Sequence, residues 1–220
     1  MRIFAVNGSP RPGGNTATVL EHFLEGARDA GAATELVQLY ALQGSGCRSC
    51  FACKRLGGPS YGHCAVKDAW SPLLAALEQT DGLALGSPVY FGNVTGVMRS
   101  FQERLCFPYL VYDRQRSTIA PRRLATACIY TMNVDAATMR QLGYPQALAL
   151  MEGCLERIFS RPEVLYVNDT WQFDDYSKYR AERFSVADKR RSREEQFPRD
   201  CRRAFELGRA MARKIAGAGA

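Results

Sequence analysis

The sequence predicts an α/β fold in which helices cover both faces of one parallel, doubly wound sheet. Three observations predict it: short apolar segments alternate with segments of helical periodicity, the apolar segments have no regular polar positions, and the composition is that of a globular chain. Hydrophobic residues make up 46% of the 220 residues and charged residues 23%, which is ordinary for a folded domain. Strands that are buried on both faces form such continuous apolar segments.

Five segments are predicted to be the buried strands of this sheet. They span residues 2–6, 33–39, 82–86, 123–130 and 163–167. Segments with helical periodicity lie between them, and strands that are joined through a helix run parallel to each other. The sequence therefore predicts a succession of five βα units.

The predicted helices are placed by their capping residues and by apolar positions that recur about once per turn. Asn15 or Thr16 can cap the first helix, which ends at Gly31. Ser71 is a predicted N-cap, with Pro72 at the first helical position. The other helices are expected at residues 94–105, 147–158 and 199–216. The apolar stripe of the last helix needs a packing partner, either in this domain or in another subunit.

The charge distribution separates the chain into two parts. Residues 1–170 are predicted to form one domain, and residues 171–220 a basic extension with one helix that is not an independent domain. The net charge is +7, and residues 1–175 hold 16 basic and 16 acidic residues, so residues 176–220, within the extension, carry the whole excess. A neutral body argues against nucleic-acid binding. The extension is interpreted as a solvated helix face, or as a surface for an acidic partner or the adenylate phosphate of NADPH.

The sequence has no sign of a membrane span or a secretory leader. No segment reaches the roughly 18 consecutive apolar residues of a membrane-spanning helix, and the first strand meets Asn7-Gly8-Ser9-Pro10 too soon to be a signal-peptide core. We therefore expect a cytoplasmic protein without a membrane partner. In that compartment the eight cysteines are expected to be metal ligands, redox groups or core residues rather than disulfides. Cys106, Cys128 and Cys154 are predicted to be core residues.

The loop of residues 7–17 connects the first strand to the first helix. Doubly wound sheets bind ligands at the carboxyl ends of their strands, and a helix N-terminus offers unpaired N–H groups with a partial positive charge. Ser9, Asn15 and Thr16 add short polar side chains, and Arg11 adds a positive charge. These residues predict a site for a terminal phosphate, although a capped turn without a ligand fits them too. The chain has no Walker lysine and no G-x-G-x-x-G, which argues against NTP hydrolysis and Rossmann-type dinucleotide binding.

A second loop, residues 87–93, follows the third strand at the same edge of the sheet. It contains Tyr90 and Phe91 beside Gly92 and Asn93. Two aromatic residues in such a loop can flank a flat ring system, while backbone N–H groups bond the heteroatoms of the ring. The alternative is a tight turn whose aromatic residues cover the edge of the sheet. The two loops together predict a ligand site more specifically than either loop alone.

The long connection of residues 40–67 contains the strongest metal motif of the chain. Cys47, Cys50 and Cys53 are separated by two residues each, and Cys64 follows. This spacing is typical of iron-sulfur cluster ligands, whereas zinc sites usually pair two C-x-x-C segments. The residues alone leave three interpretations open, namely an iron-sulfur cluster, redox-active or structural thiols, and zinc.

Three segments of the chain resemble the motifs of the flavodoxin-like NAD(P)H-dependent FMN reductases, namely Gly8-Ser9-Pro10-Arg11, Gly14-Asn15-Thr16 and Ser87-Pro88-Val89-Tyr90-Phe91-Gly92-Asn93. The resemblance covers about residues 1–168. It implies a flavodoxin-like fold with strand order 2-1-3-4-5, bound FMN and a homodimer or homotetramer. It further implies a phosphate site at Ser9, Arg11, Asn15, Thr16 and Ala17. The isoalloxazine would lie against Pro88, Val89, Tyr90, Phe91, Gly92 and Asn93, with the loop of residues 130–133 on its other side.

The cysteine motif within such a chain resembles the iron-sulfur flavoproteins, which carry FMN and a [4Fe-4S] cluster on each subunit. The residues at the four ligand positions are Cys47, Cys50, Cys53 and Cys64, and the last gap is longer here. The C-terminal region is similar as well, which extends the resemblance to most of the chain. The implied function is electron transfer between NAD(P)H, or a reduced ferredoxin-type carrier, and an unknown acceptor. The alternatives are a cluster-free NAD(P)H-dependent FMN or quinone reductase and an electron-transfer flavoprotein with no nicotinamide substrate.

Overall fold

The computed structural model of the protein describes residues 1–218. Five strands within this range form one parallel sheet in the order β2-β1-β3-β4-β5. They are β1 (Arg2–Asn7), β2 (Ala33–Gln38), β3 (Gly82–Pro88), β4 (Ala125–Thr131) and β5 (Glu163–Val167). The predicted fold class and strand order are confirmed, and each strand lies within two residues of its predicted bounds.

Seven α-helices lie within the same range and cover both faces of the sheet. They are α1 (Asn15–Asp29), α2 (Ser71–Leu77), α3 (Gly96–Cys106), α4 (Ala136–Gln141), α5 (Tyr144–Ile158), α6 (Val186–Arg191) and α7 (Phe197–Ala218). Side chains alternate along a strand, so Phe4 and Val6 of β1 pack with α2, α3 and α5, whereas Ile3 and Ala5 pack with α1 and α7. Each face of the sheet therefore has its own apolar core.

The start of α1 differs from the prediction. Gly14 is the N-cap, and no side chain caps the helix, because the side chains of Asn15 and Thr16 bond elsewhere. The Asn15 side chain donates to the carbonyl of Trp171 at 2.8 Å, and the hydroxyls of Thr16 and Thr131 share a hydrogen bond of 2.8 Å. These contacts join the loop after β1 to the end of β4 and to the segment after β5.

The start of α2 is also shifted from the prediction. Trp70 occupies the N-cap position, and Ser71 is the first helical residue. The hydroxyl of Ser71 donates to the carbonyl of Val66 at 2.8 Å and accepts from the amide of Asp68 at 3.0 Å. Ser71 therefore fixes the end of the cysteine-containing connection instead of capping the helix.

The C-terminal extension contains more helix than the single one predicted. The helix α6 continues through a π-helical turn (Ser192–Gln196) into α7. The apolar stripe of α7, with Cys201, Ala204 and Met211 buried, packs on α1 and the sheet of the same chain. The packing partner of this stripe is therefore its own domain. No helix within residues 1–218 is long and apolar enough to cross a membrane.

Two glycines allow α1 and α7 to cross at close range. A Cβ on Gly208 would lie 1.8 Å from the carbonyl oxygen of Phe23, and a Cβ on Gly26 would lie 1.8 Å from that of Phe205. The variant Gly208→Ala is therefore expected to lower the free energy of unfolding by about 2–3 kcal/mol, since the two helices must separate. Urea unfolding of the variant and the wild type measures this difference.

Gly153→Ala is the matched control for this prediction. Gly153 also lies within a helix, α5, but a Cβ added there has no atom within 4 Å. We expect this variant to be more stable by about 0.5–1 kcal/mol, because alanine favours the helical conformation over glycine. Equal effects of the two substitutions would contradict the close crossing of α1 and α7.

Candidate functional site

A cavity of about 440 Å³ lies at the carboxyl edge of the sheet, and we call it the strand-edge cavity. It is found where the strand order reverses between β1 and β3, which is the usual ligand position in this class of sheet. The predicted cofactor-binding residues that line it are Ser9, Arg11, Asn15, Thr16, Pro88, Val89 and Tyr90. Thr131 at the end of β4 and Met132 and Asn133 after it line the cavity as well, whereas Tyr130 is buried in the core. The cavity therefore joins both loops that the sequence analysis identified.

The N-terminus of α1 presents unpaired backbone donors to this cavity. The amide of Thr18 bonds the carbonyl of Gly14 at 3.1 Å. The amides of Asn15, Thr16 and Ala17 precede it and have no partner among residues 1–218. No acidic residue lies in the first turn of the helix. This arrangement suits an anion with several oxygens, such as a phosphate.

Hydrogen bonds hold the loop before α1 in one shape. The side-chain oxygen of Asn7 accepts from the amide of Ser9 at 3.0 Å, and the hydroxyl of Ser9 accepts from the amide of Arg11 at 3.1 Å. The hydroxyl of Thr95, the N-cap of α3, donates to the carbonyl of Gly8 at 2.7 Å. The loop is therefore organised before any ligand binds.

The loop after β3 consists of two parts. Val89 and Tyr90, with Pro88 at the end of β3, line the strand-edge cavity, whereas Phe91 and Gly92 form the tip of a tight turn with φ values of 51° and 79°. Two backbone hydrogen bonds of 2.7 and 3.1 Å between Tyr90 and Asn93 close this turn. Phe91 is fully exposed to solvent. Phe91, Gly92 and Asn93 do not line the cavity, and neither does Ala17, which is buried in α1.

The segment after β5 forms a wall of the cavity that the sequence analysis did not identify. The residues of this wall are Thr170, Trp171, Gln172 and Asp174, and Arg193 of the π-helical turn lies beside them. The carbonyl of Gln172 accepts from the guanidinium of Arg11 at 2.7 Å. This wall could have been predicted from the position of β5, because the carboxyl end of β5 lies at the same edge of the sheet as that of β1.

A second, smaller cavity lies in the connection between β2 and α2, and we call it the cysteine cavity. All four cysteines of the motif line it, namely Cys47, Cys50, Cys53 and Cys64. Cys53 is buried and Cys64 half-buried, whereas Cys47 and Cys50 are exposed. Within residues 1–218, no three metal-ligating side chains lie close enough together to hold a metal ion. The four thiols therefore share one cavity without the tight arrangement of a zinc site.

Unusual backbone conformations turn the chain around the cysteine cavity. Ser49 and Phe51 have φ values of 53° and 56°, and the amide of Ser49 donates to Sγ of Cys47 at 3.5 Å. Gly62 has a φ of 77°, and its amide donates to the carbonyl of Cys53 at 3.0 Å. The amide of Ser49 therefore supplies a hydrogen bond to the sulfur of Cys47. The turn at Gly62 directs the chain back, so that Cys64 reaches the cavity.

Arg104 of α3 organises the cysteine cavity, and the sequence analysis did not identify it. Its side chain is 1% exposed. Nε donates to Sγ of Cys64 at 3.2 Å, and Nη2 donates to the carbonyl of Val66 at 3.0 Å. Nη1 donates to the carbonyl of Ser45 at 3.2 Å and forms an ion pair with Asp68. Burial acts to raise the pKa of Asp68, but the hydrogen bond and the charge of Arg104 hold that pKa below its usual value.

Lys54 is a second cation beside the cysteine cavity. Its ammonium group donates to the carbonyl oxygens of Phe107, Pro108 and Leu110. Burial raises the pKa of the neighbouring Cys53 thiol, and the positive charge of Lys54 opposes this rise. Two cations beside four thiols offset the negative charge that thiolates or a thiolate-bound cluster bring to a site.

The other cysteines of the described chain lie outside the cysteine cavity. Cys106 and Cys128 are buried, as predicted, and burial raises the pKa of the Cys128 thiol to about 12. The prediction that Cys154 is a core residue is wrong, because Cys154 is exposed. The buried face of α5 consists of Leu148, Met151, Leu155 and Ile158.

Comparisons with known proteins agree with the sequence motifs. The model of the NADPH-dependent FMN reductase family matches residues 1–127. An iron-sulfur flavoprotein of Archaeoglobus fulgidus is 33% identical over 152 residues, which cover 69% of this chain and 71% of that protein. An iron-sulfur flavoprotein of Methanocaldococcus jannaschii is 33% identical over 104 residues, which cover 47% of this chain and 51% of that protein. The chain thus matches about half the length of the second relative.

Solved structures with the same fold have low sequence identity to this chain. The NAD(P)H:quinone oxidoreductase from Methanothermobacter marburgensis has a TM-score of 0.68 at 13% identity, covering 95% of this chain and 96% of that one. An azoreductase from Bacillus anthracis has a TM-score of 0.64 at 11% identity, covering 96% of this chain and 99% of that one.

The sheet order, the cavity at its carboxyl edge and these structural matches define a flavodoxin-like α/β protein. The chain belongs to the NADPH-dependent FMN reductase family, which is a family of oxidoreductases. The relatives described above are named iron-sulfur flavoproteins. The resemblance that the two loops and the cysteine motif indicated is therefore confirmed at the level of the family.

Proposed function

We propose that the protein is an FMN-dependent oxidoreductase that transfers electrons between NAD(P)H, or a reduced ferredoxin-type carrier, and an acceptor. The observation that carries this proposal is the strand-edge cavity, where Asn15 and Thr16, whose amides are unpaired, lie with Arg11 in the lining. The family match supports FMN as the cofactor. When bound, FMN supplies the redox chemistry, and the protein supplies binding, orientation and electrostatics.

In this proposal the loop before α1 binds the phosphate of FMN. The amides of Asn15, Thr16 and Ala17 donate to phosphate oxygens, which a helix N-terminus favours. The hydroxyl of Ser9 accepts from a backbone amide, so its own proton can donate to the phosphate. Arg11 contributes a positive charge at the mouth of the same loop.

The flat ring of FMN is proposed to lie between the loops after β3 and β4. Pro88, Val89 and Tyr90 line the strand-edge cavity, and so does Asn133. The side-chain oxygen of Asn133 is buried without a hydrogen-bond partner among residues 1–218. Buried hydrogen-bond acceptors normally have a donor as partner. In this proposal the N–H group of the flavin ring donates to the side-chain oxygen of Asn133.

We further propose that the four cysteines of the motif bind a [4Fe-4S] cluster, which supplies single-electron transfer when bound. Three observations support this. The spacing of the cysteines matches such ligands, all four line one cavity, and the relatives are named iron-sulfur flavoproteins. Arg104 and Lys54 would balance the negative charge of the thiolates, and the bond from Arg104 to Cys64 holds one sulfur in place.

A cluster-free NAD(P)H-dependent FMN or quinone reductase is the second candidate. Two observations favour this candidate. Cys47 and Cys50 are exposed, and within residues 1–218 no three metal-ligating side chains lie close enough together to hold a metal ion. In that case the cysteines act as thiols. Assembly into a homodimer or homotetramer and a cytoplasmic location stay predictions for either candidate.

The composition of the protein purified without oxygen tests these proposals. We expect one FMN per chain, with about four irons and four acid-labile sulfides. FMN without iron would support the cluster-free reductase, and a protein that neither carries nor binds FMN would refute the proposal. Anaerobic mixing with NADH or NADPH then identifies the donor. Rapid bleaching of the flavin indicates a nicotinamide donor, whereas reduction by ferredoxin or dithionite alone indicates an electron carrier.

A further inference from the structure

Arg193 lies in the π-helical turn between α6 and α7 and lines the strand-edge cavity. Its Nη1 donates to Oδ1 of Asn15 at 3.2 Å, and its guanidinium lies 4.5 Å from the ring centre of Phe197. Because Asn15 is the first residue of α1, this contact brings the charge of Arg193 to the same helix end as the unpaired amides. A π-helical turn inside a longer helix is frequently found at functional sites.

The π-helical turn is fixed to the carboxyl edge of the sheet by its neighbours. Lys189 is 2% exposed, forms an ion pair of 2.6 Å with Asp169 and donates to the carbonyl of Asn133. The hydroxyl of Ser192 donates to the carbonyl of Asp169 at 3.1 Å. Asp169 and Asn133 follow β5 and β4, so these contacts hold the extension against the two loops that line the cavity. The position of Arg193 is therefore set by the folded domain.

The side chain of Asn15 holds Arg193 and does not cap α1. Its Nδ2 donates to the carbonyl of Trp171 at 2.8 Å, which leaves Oδ1 to accept from Arg193. The charged residues that line the cavity are Arg11, Arg193 and Asp174. The net charge of these three side chains is positive, and the unpaired amides of α1 add a partial positive charge. Both favour an anionic group at this end of the cavity.

We propose that the C-terminal extension completes the cofactor site and that Arg193 binds the terminal phosphate of FMN together with the amides of α1. This inference rests on the proposed FMN function, and it adds a residue beyond residues 1–127, which the family model matches. A guanidinium has five N–H donors, and Asn15 accepts from one nitrogen of Arg193. The other donors bind phosphate oxygens in the planar geometry that suits arginine.

The test compares binding of FMN and of riboflavin to the apoprotein, because riboflavin lacks the phosphate. We expect Arg193→Gln to weaken FMN binding about 10–100-fold, the usual effect of losing a hydrogen bond to a charged group. Riboflavin binding should not change. Arg193→Lys should restore only part of the FMN affinity, since lysine lacks the planar fork of donors. Quenching of flavin fluorescence gives both dissociation constants.

Arg190→Gln is the matched control, because Arg190 is exposed on α6 and does not line the strand-edge cavity. This variant removes the same charge from the extension and should bind both flavins as the wild type does. Wild-type FMN affinity in Arg193→Gln would overturn the inference, and so would equal losses for FMN and riboflavin, which indicate a structural role. If the wild-type apoprotein bound neither flavin, the proposed function itself would fail.

Discussion

Cys50→Ser protein is expected to purify with about one FMN per chain and without iron. The thiolate of Cys50 is proposed as a cluster ligand, and a serine hydroxyl does not replace a thiolate. Cys50 lines the cysteine cavity and is exposed, so its replacement leaves no hole in a core. The two cavities share no lining residue, which is why the flavin content should not change. Iron and flavin are measured on the same anaerobic sample.

Cys154→Ser is the control for this experiment. Cys154 is also exposed, but it lies on α5 and does not line the cysteine cavity. The control protein should keep the iron content of the wild type. Wild-type iron in Cys50→Ser would remove Cys50 from the ligand set. Loss of both iron and FMN in Cys50→Ser would contradict the independence of the two cavities.

The helix α3 connects the two cavities within one chain. At its start, the Thr95 hydroxyl donates to the carbonyl of Gly8 in the loop that is proposed to bind phosphate. Nine residues later, Arg104 bonds Sγ of Cys64. Nine residues of helix span about 14 Å. The loop proposed to bind phosphate and the fourth cysteine of the motif are therefore bonded to opposite ends of one helix.

The sheet could be predicted because each strand is a continuous apolar segment that ends in a turn or a helix. The bounds of β5, Glu163–Val167, agree with the prediction to the residue. The helix α4 was not predicted, because it has six residues and buries only Met139, so no apolar period is visible. The π-helical turn was missed for the same reason, since none of its residues is buried.

The candidate site could be predicted only where it lies within one loop. Asn15 is adjacent in sequence to the rest of the phosphate loop, but its partners Trp171 and Arg193 lie 156 and 178 residues away. No local pattern reports such a contact. Arg104 was missed in the same way, because it lies 40 residues from Cys64 on a helix that was recognised by its apolar positions. The loops determine where a ligand can bind, and the tertiary contacts add the charges around it.

Arg104→Met is expected to lower the free energy of unfolding by about 3–5 kcal/mol, the usual cost of removing one partner of a buried ion pair. Methionine fills much of the same space. However, it leaves the carboxylate of Asp68 without a counter-charge and the carbonyls of Ser45 and Val66 without a donor. These residues flank the cysteine motif, so the folded variant should also retain less iron. Urea unfolding measures the first effect and iron analysis the second.

Arg122→Met is the matched control, because Arg122 forms a 3.0 Å ion pair with Asp81 but is half exposed, and such pairs contribute less than about 1 kcal/mol.

The pH dependence of stability gives a second test of the role of Arg104. Despite burial, Arg104 holds the pKa of Asp68 below its usual value of 3.8. The pair therefore stabilises the fold fully above that pH, and this stabilisation is lost as the pH falls through the lowered pKa. The difference in the free energy of unfolding between the wild type and Arg104→Met should therefore become smaller in acid. A difference below about 1 kcal/mol at neutral pH would contradict the role of Arg104.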